Sequence, residues 1–270
     1  MIGTAKGSDI SRLKEIWKEC FGDSDSYITL FFDTVFKDSQ PLAFYADGTP
    51  VAVLYRLKCK AVVNGRIFYG RYIYAAATLE NYRKRGIMGQ LLSFAQKEAE
   101  SRGEFLSLVP GSSELYGYYS KFSFAECMNR HAVTLNYDGI SKGSFKSLTD
   151  NEAFDTRECL LKDNSFIWGK NELSYALQCI RFFGGEAVSD GKSFAVILKD
   201  GEKLVINELL GSSPEESAQL LLGQYGCTEC KLYTPENYGE NERFGMINDC
   251  GSGILKAMEK SKIYMNLALD

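Results

Sequence analysis

Apolar and polar positions change period several times along the chain, and each change marks an element. Ile10, Leu13, Ile16 and Trp17 recur three and four residues apart behind a Ser8-Asp9 cap, which predicts a first helix ending at Phe21-Gly22. A second cap at residues 23–26 opens a strongly apolar helix over 27–36. The period then becomes that of strands at 42–45, 51–60 and 67–78. Asp47-Gly48 and Asn64-Gly65 separate these strands, and such turns fold neighbours antiparallel. Helical spacing returns with Ile87, Met88, Leu91, Leu92, Ala95 and Ala99, opposite Gln90, Lys97, Glu98 and Ser101, and stops at Arg102-Gly103. Residues 104–109 read as a short apolar strand stopped by Pro110-Gly111, so a right-handed crossover between two parallel strands is expected. A short capped helix over 112–121 and two further strands over 122–137 complete the first half.

The turn before the third helix carries the chemistry. Tyr82-Arg83-Lys84-Arg85-Gly86-Ile87-Met88-Gly89 sits where a strand hands over to a helix N-terminus. Backbone N–H groups there lack intrahelical partners and the helix dipole is positive, so main chain alone can bind an anion. Gly86 and Gly89 leave out Cβ atoms that would hold a phosphate away, and three successive cations add long-range attraction. A pyrophosphate cradle is the expectation. The Walker spacing of glycines followed by Lys and Ser or Thr is absent, and a dinucleotide fingerprint would need three glycines after a first strand.

What remains is the pattern Arg/Gln-x-x-Gly-x-Gly/Ala, which Arg83 to Met88 fit except at the last place, where Met88 stands and Gly89 follows. This resembles the acetyl-CoA-binding motif of the GCN5-related N-acetyltransferases (GNAT). The resemblance implies a mixed α/β sheet fold and acetyl-CoA as cosubstrate. It also implies backbone contacts from Ala76 and Thr78 to the pantetheine arm, and a pyrophosphate held by Arg83, Lys84, Arg85, Gly86, Ile87, Met88 and Gly89. A second match lies at Tyr119-Ser-Lys-Phe-Ser-Phe124, similar to the family's Tyr-x-x-x-Gly-Phe with Ser123 in place of glycine. In that family the tyrosine protonates the leaving thiolate, so Tyr119 is the candidate catalytic residue. A thiol near pKa 8.5 and a phenol near 10 are close enough for proton transfer in a desolvated site.

From about residue 141 the signals restart: a helix over 171–183, strands over 194–198 and 204–210 joined by Asp200-Gly201, a capped helix over 213–222, and strands over 231–235 and 263–269. The order repeats the first half without the basic turn. Two domains are expected, 1–140 binding coenzyme and 141–270 a degenerate GNAT-like repeat that walls the acceptor pocket. This tandem resembles the enhanced intracellular survival group of acetyltransferases without that group's third domain, which bears on whether the Asp270 carboxylate takes part in catalysis.

Composition narrows the class. With 270 residues, 45% hydrophobic, the chain can bury two cores, and a net charge of −4 disfavours a nucleic-acid partner and suits an amine acceptor. No apolar leader or membrane span is read, so a cytoplasmic location is expected. The eight cysteines form no compact framework. Cys227 and Cys230, with Cys250 further on, lack the second pair or histidines a zinc site wants, so no metal is expected. An attacking amine must lose a proton, and Glu80, Glu114 and His131 are the candidate bases, each with an ordinary structural alternative. The reading is an acetyl-CoA-dependent N-acetyltransferase acting on a primary amine of a small molecule or a protein; the alternative is an acyl-CoA sensor without turnover. Acceptor identity and oligomeric state are left open.

Overall fold

The computed structural model describes every residue except Ser212, Glu236, Lys260 and Asp270, so the role considered for Asp270 lies outside the described residues. In chain order the elements are β1 (Ile2–Thr4), α1 (Ile10–Phe21), α2 (Asp25–Thr34), β2 (Leu42–Ala46), β3 (Thr49–Val63), β4 (Arg66–Thr78), α3 (Ile87–Arg102), β5 (Phe105–Leu108), α4 (Ser113–Ser120) and β6 (Ala125–Asn136). There follow β7 (Lys146–Ser147), α5 (Asp150–Leu160), β8 (Ser165–Trp168), α6 (Lys170–Phe182), β9 (Glu186–Ser189), β10 (Phe194–Asp200), β11 (Lys203–Leu210), α7 (Pro214–Tyr225), β12 (Glu229–Thr234), β13 (Glu240–Asn248), α8 (Ile254–Met258) and β14 (Ile263–Tyr264). The chain divides into two compact units, residues 1–127 with 245–261, and residues 128–244 with 262–269.

In the first unit the strand order is β1-β2-β3-β4-β5-β13. The Asp-Gly and Asn-Gly turns fold β2, β3 and β4 antiparallel, and the α3 crossover sets β5 parallel to β4. Adjacent residues point to opposite faces, and both faces are covered. Leu54 and Ile73 pack with Leu91, Leu92, Ala95 and Ala99 of α3, while Tyr55 and Tyr74 pack on Trp17 of α1 with ring centroids 5.8 and 5.5 Å away. Leu91 and Leu92 have no exposed surface. Burying them contributes roughly 1.5–3 kcal/mol each. Gly22 and Gly103, both left-handed, end α1 and α3 where the sequence places their stops.

Residues 122–137 were expected as two strands, but they form one, β6, because no Gly or Pro and no Asn-Gly or Asp-Gly pair interrupts Ala125–Asn136. The antiparallel neighbour of β5 is instead β13, reached from far along the chain. Its first residues, Glu240-Asn-Glu-Arg243, are too polar to announce a strand, whereas Phe244 to Asn248 are buried. The first compact unit takes in residues 245–261 beside 1–127, and the second takes in residues 128–244 and 262–269.

The second unit orders its strands β6-β12-β11-β10-β9-β7. β10 and β11 form the expected hairpin, and α7 carries the chain to a parallel β12. Helix α5 and strands β8 and β9 were not marked by the sequence, and the closing strand expected over 263–269 is regular only at Ile263–Tyr264. Arg157 and Glu208, almost fully buried, form a two-pronged ion pair at 2.7 and 3.0 Å. Cys227 and Cys230 belong to this unit's apolar core, and burial pushes the Cys230 thiol up to about 12.

Candidate functional site

The β4–β5 ladder runs only from Gly70 opposite Phe105 to Tyr72 opposite Ser107. β4 continues to Thr78 along β3, while β5 turns to β13 by pairing Leu108 with Met246. Within this stretch the β3–β4 register shifts between Val53 and Tyr55, and Ala75 takes a φ of 44°, a bulge that re-aims the strand edge. The edge of β4 facing β5 thus carries backbone donors and acceptors outside the ladder. Ala75, Ala76 and Ala77 keep the opening free of large side chains.

Directly beyond stands the helix end. Gly86 has a φ of 71° and caps α3, whose first intrahelical bond runs from the Gln90 amide to the Gly86 carbonyl at 3.0 Å. The amides of Ile87, Met88 and Gly89 precede that bond and have no carbonyl within the helix to donate to. Lys84, two residues before Gly86, is also left-handed, with a φ of 60°. No acidic residue lies in the first turn of α3. The side chain of Met88 packs on the apolar cluster under α3, so at the family motif's small-residue place it offers its amide while its bulk turns inward.

The cations are used unequally. Arg83 donates from Nε to the Thr78 carbonyl at 2.9 Å and points Nη2 at Cys20 Sγ, 3.8 Å away, while that thiol donates to the same carbonyl at 3.4 Å. Arg83 therefore ties the strand end to the turn, and Cys20 of α1 completes the tie, a contact no sequence signal announced. Lys84 and Arg85 are exposed, the Arg85 guanidinium lying 5.3 Å from the Tyr82 ring centre.

Gly89 has a packing role as well. A Cβ built there would stand 2.9 Å from Cζ of Phe122. That ring belongs to the turn after α4, whose carbonyl at Phe122 accepts from Gln96 Nε2 at 2.5 Å and Asn248 Nδ2 at 2.7 Å. The same turn returns the Phe122 amide to the Tyr119 carbonyl at 2.9 Å. Phe122 therefore joins the Tyr119 turn to the first turn of α3, held there by Gln96 further along α3 and by Asn248 of β13, and only the tertiary structure reveals them. Gly89→Ala is expected to destabilise by about 1 kcal/mol, because overpacking of roughly 1–3 kcal/mol outweighs the helix propensity gained. Thermal unfolding reads the sign, opposite to that of an ordinary Gly→Ala change in a helix.

Tyr119 packs against the same apolar cluster as Ala76 and Met88, beside Tyr118 and Phe124. Burial, with a smaller contribution from neighbouring Tyr118, pushes its phenol up to about 12. Ser123, in the family's glycine position, has a φ of 61°, so the turn keeps the left-handed geometry that glycine takes without strain. Ser123→Gly is expected to stabilise by about 0.5–1 kcal/mol, read as a higher urea midpoint.

Of the candidate bases, Glu80 and Glu114 are exposed in the first unit, and the Glu80 amide donates to Glu19 Oε1 at 3.4 Å. His131 lies on β6 in the second unit opposite Thr234, and its Nδ1 is buried with no hydrogen-bond partner among the described residues. Among the described residues no group of three or more His, Cys, Asp or Glu is arranged to hold a metal, and no helix is long and apolar enough to cross a membrane. An open groove of about 540 Å³ runs from Gly86 and Gly89 along Gln90, Ser93 and Lys97 of α3 toward Phe122.

Comparison with known proteins agrees with this geometry. Residues 2–127 match the family model described as an acetyltransferase (GNAT) domain. No curated protein matches the sequence. Among solved structures, a GCN5-related N-acetyltransferase from Anabaena variabilis superposes with a TM-score of 0.75 at 13% identity, over 97% of this chain and 75% of that one. Eis1 from Mycobacterium abscessus gives 0.73 at 11%, over 95% and 76%. A GCN5-related N-acetyltransferase from Kribbella flavida gives 0.69 at 13%, over 92% and 70%. At such identities the structures report a shared fold over both units. The stretch matched by that acetyltransferase (GNAT) domain model, residues 2–127, is the one that holds the divergent strands and the open helix end.

Proposed function

We propose that the chain moves an acetyl group from acetyl-CoA to a primary amine, on a small molecule or a protein. The observation that carries this is that β4 runs on to Thr78 beyond its short ladder with β5 and leads within nine residues to a helix whose Ile87, Met88 and Gly89 amides have no carbonyl within the helix to donate to. A pantetheine arm is a flexible chain of amides, which the strand edge suits, and a diphosphate suits the helix end. Ala76, at the bulge, and Thr78 would face the arm, and Arg83, Lys84 and Arg85 would surround the diphosphate. The groove along α3 offers room for the rest of the coenzyme.

When bound, acetyl-CoA supplies an activated thioester. The amine nitrogen attacks its carbonyl carbon, the new C–N bond forms, and the C–S bond breaks. Tyr119 gives its phenolic proton to the departing sulfur, and the attacking nitrogen releases its own proton to solvent. With a net charge of −4 the chain suits a cationic acceptor better than nucleic acid.

A second reading, an acyl-CoA-binding module without turnover, is favoured by the exposure of Glu80 and Glu114 and by the raised phenol of Tyr119. Calorimetric titration of acetyl-CoA, followed by free-thiol release in the presence of a panel of amines, separates the two. Binding with amine-dependent thiol release is expected. Binding without release from any amine favours the second reading, and no binding overturns both.

A further inference from the structure

The second unit repeats the divergent-strand arrangement and fills it. Strands β11 and β12 pair from Lys203 opposite Glu229 to Ile206 opposite Leu232, while β11 runs on to Leu210. At the next residue, Asn207, the β10–β11 register shifts, a bulge at the mouth of the opening as in β4. The helix that follows is different in charge. Glu215 and Glu216 occupy the first turn of α7, where an anion would be repelled.

The chain's own later segment lies against β6 and β8, with Tyr264 opposite Ser165 of β8, and reaches the β11 side of this opening through its side chains. β12 leaves β6 at Thr234 opposite His131, and β14 pairs further along the same strand, Ile263 opposite Met128 and Tyr264 opposite Asn129. Residues 263–267 are all buried. Asn266, 2% exposed, donates its carboxamide to the carbonyl of the bulged Asn207 and accepts from Arg130 Nη1 at 3.1 Å. Arg130 is itself held between the rings of Tyr233 and Phe244, 3.8 and 4.0 Å from their centres. The Tyr264 hydroxyl donates to Glu208 at 3.0 Å, and Trp168 Nε1 donates to the Leu267 carbonyl at 3.1 Å.

A carboxamide presents one N–H face and one C=O face, as a peptide amide does, and neither Asp nor Leu reproduces both. We propose that this opening is a second amide-binding cleft whose ligand is the chain's own segment 263–267, the Asn266 carboxamide standing at the bulge where an amide of pantetheine would stand in the first unit. The unit then takes no coenzyme because it is already liganded. The comparison with pantetheine rests on the coenzyme reading of the first unit; the occupancy of the cleft does not.

The test is hydrogen exchange on the full chain, wild type, Asn266→Leu and Asn266→Asp, with acetyl-CoA and with pantetheine as probes, alongside calorimetric stoichiometry. Asn266→Asp keeps the volume and the bond from Arg130 and replaces the donor by a carboxylate oxygen facing the Asn207 carbonyl, so it serves if Asn266→Leu does not fold. The expected result is slow exchange in 263–269 of the wild type, unchanged by either probe, and exchange at least about tenfold faster in 207–210 and 263–269 of the variants. Unchanged exchange in Asn266→Asp would overturn the proposal, as would a second equivalent of coenzyme or pantetheine protection of 207–210 in the wild type. A wild type that binds no coenzyme at all would remove the reading of the first unit, while the exchange of 263–269 in the variants still decides this one.

Discussion

Replacing Tyr119 by Phe is expected to lower kcat by about 10²- to 10³-fold and leave acetyl-CoA affinity within about a factor of two, since positioned proton donors contribute on that scale. The ring packs against the apolar cluster under α3, so Phe keeps the packing and loses only the hydroxyl. The pH dependence gives an independent check. Burial favours the neutral phenol and pushes it up to about 12, so the acid form persists throughout the range where an amine acceptor loses its proton. The rate should climb with pH as the amine becomes neutral and show no descending limb below about pH 11, whereas a phenol near its ordinary value would start to lose its proton near 10. The same burial makes the phenol a weaker acid against an ordinary thiol. Transfer is then favourable only while the sulfur is also held out of water, which raises its basicity in the same direction. Unchanged turnover in Tyr119→Phe would remove the residue from the mechanism.

The second large effect is expected at the helix end. Gly86→Asp should weaken acetyl-CoA binding by about 100-fold or more, equivalent to about 2.7 kcal/mol or more, by setting a carboxylate where the diphosphate meets the amides. Gly86 has a φ of 71° with open space where a Cβ would go, and Asp tolerates the left-handed region better than most residues, so the fold should survive. Arg85→Ala should cost only a few-fold, because that guanidinium is exposed and screened. Arg83→Ala should fall between them, since it also releases the Thr78 carbonyl that shapes the strand end. Calorimetry on the three variants reads this order. If Arg85→Ala proved more damaging than Gly86→Asp, side-chain charge rather than backbone would carry recognition.

The sequence by itself determined what depends on near neighbours. Helical spacing in α1 and α3, the Asp47-Gly48 and Asn64-Gly65 turns, and the Gly86 and Gly103 boundaries all follow from local sterics and periodicity. The basic turn was legible for the same reason: a helix N-terminus is recognisable from a few consecutive residues. Tertiary structure alone decided the rest. β13 as the partner of β5, Asn248 and Gln96 on the Phe122 carbonyl, Cys20 behind Arg83, and Asn266 at Asn207 join residues far apart in the chain. No short-range pattern encodes such pairs. They exist because unpaired strand edges and buried carbonyls must find donors, and the polar Glu240-Asn-Glu-Arg243 start of β13 hid one of those donors' strands from view.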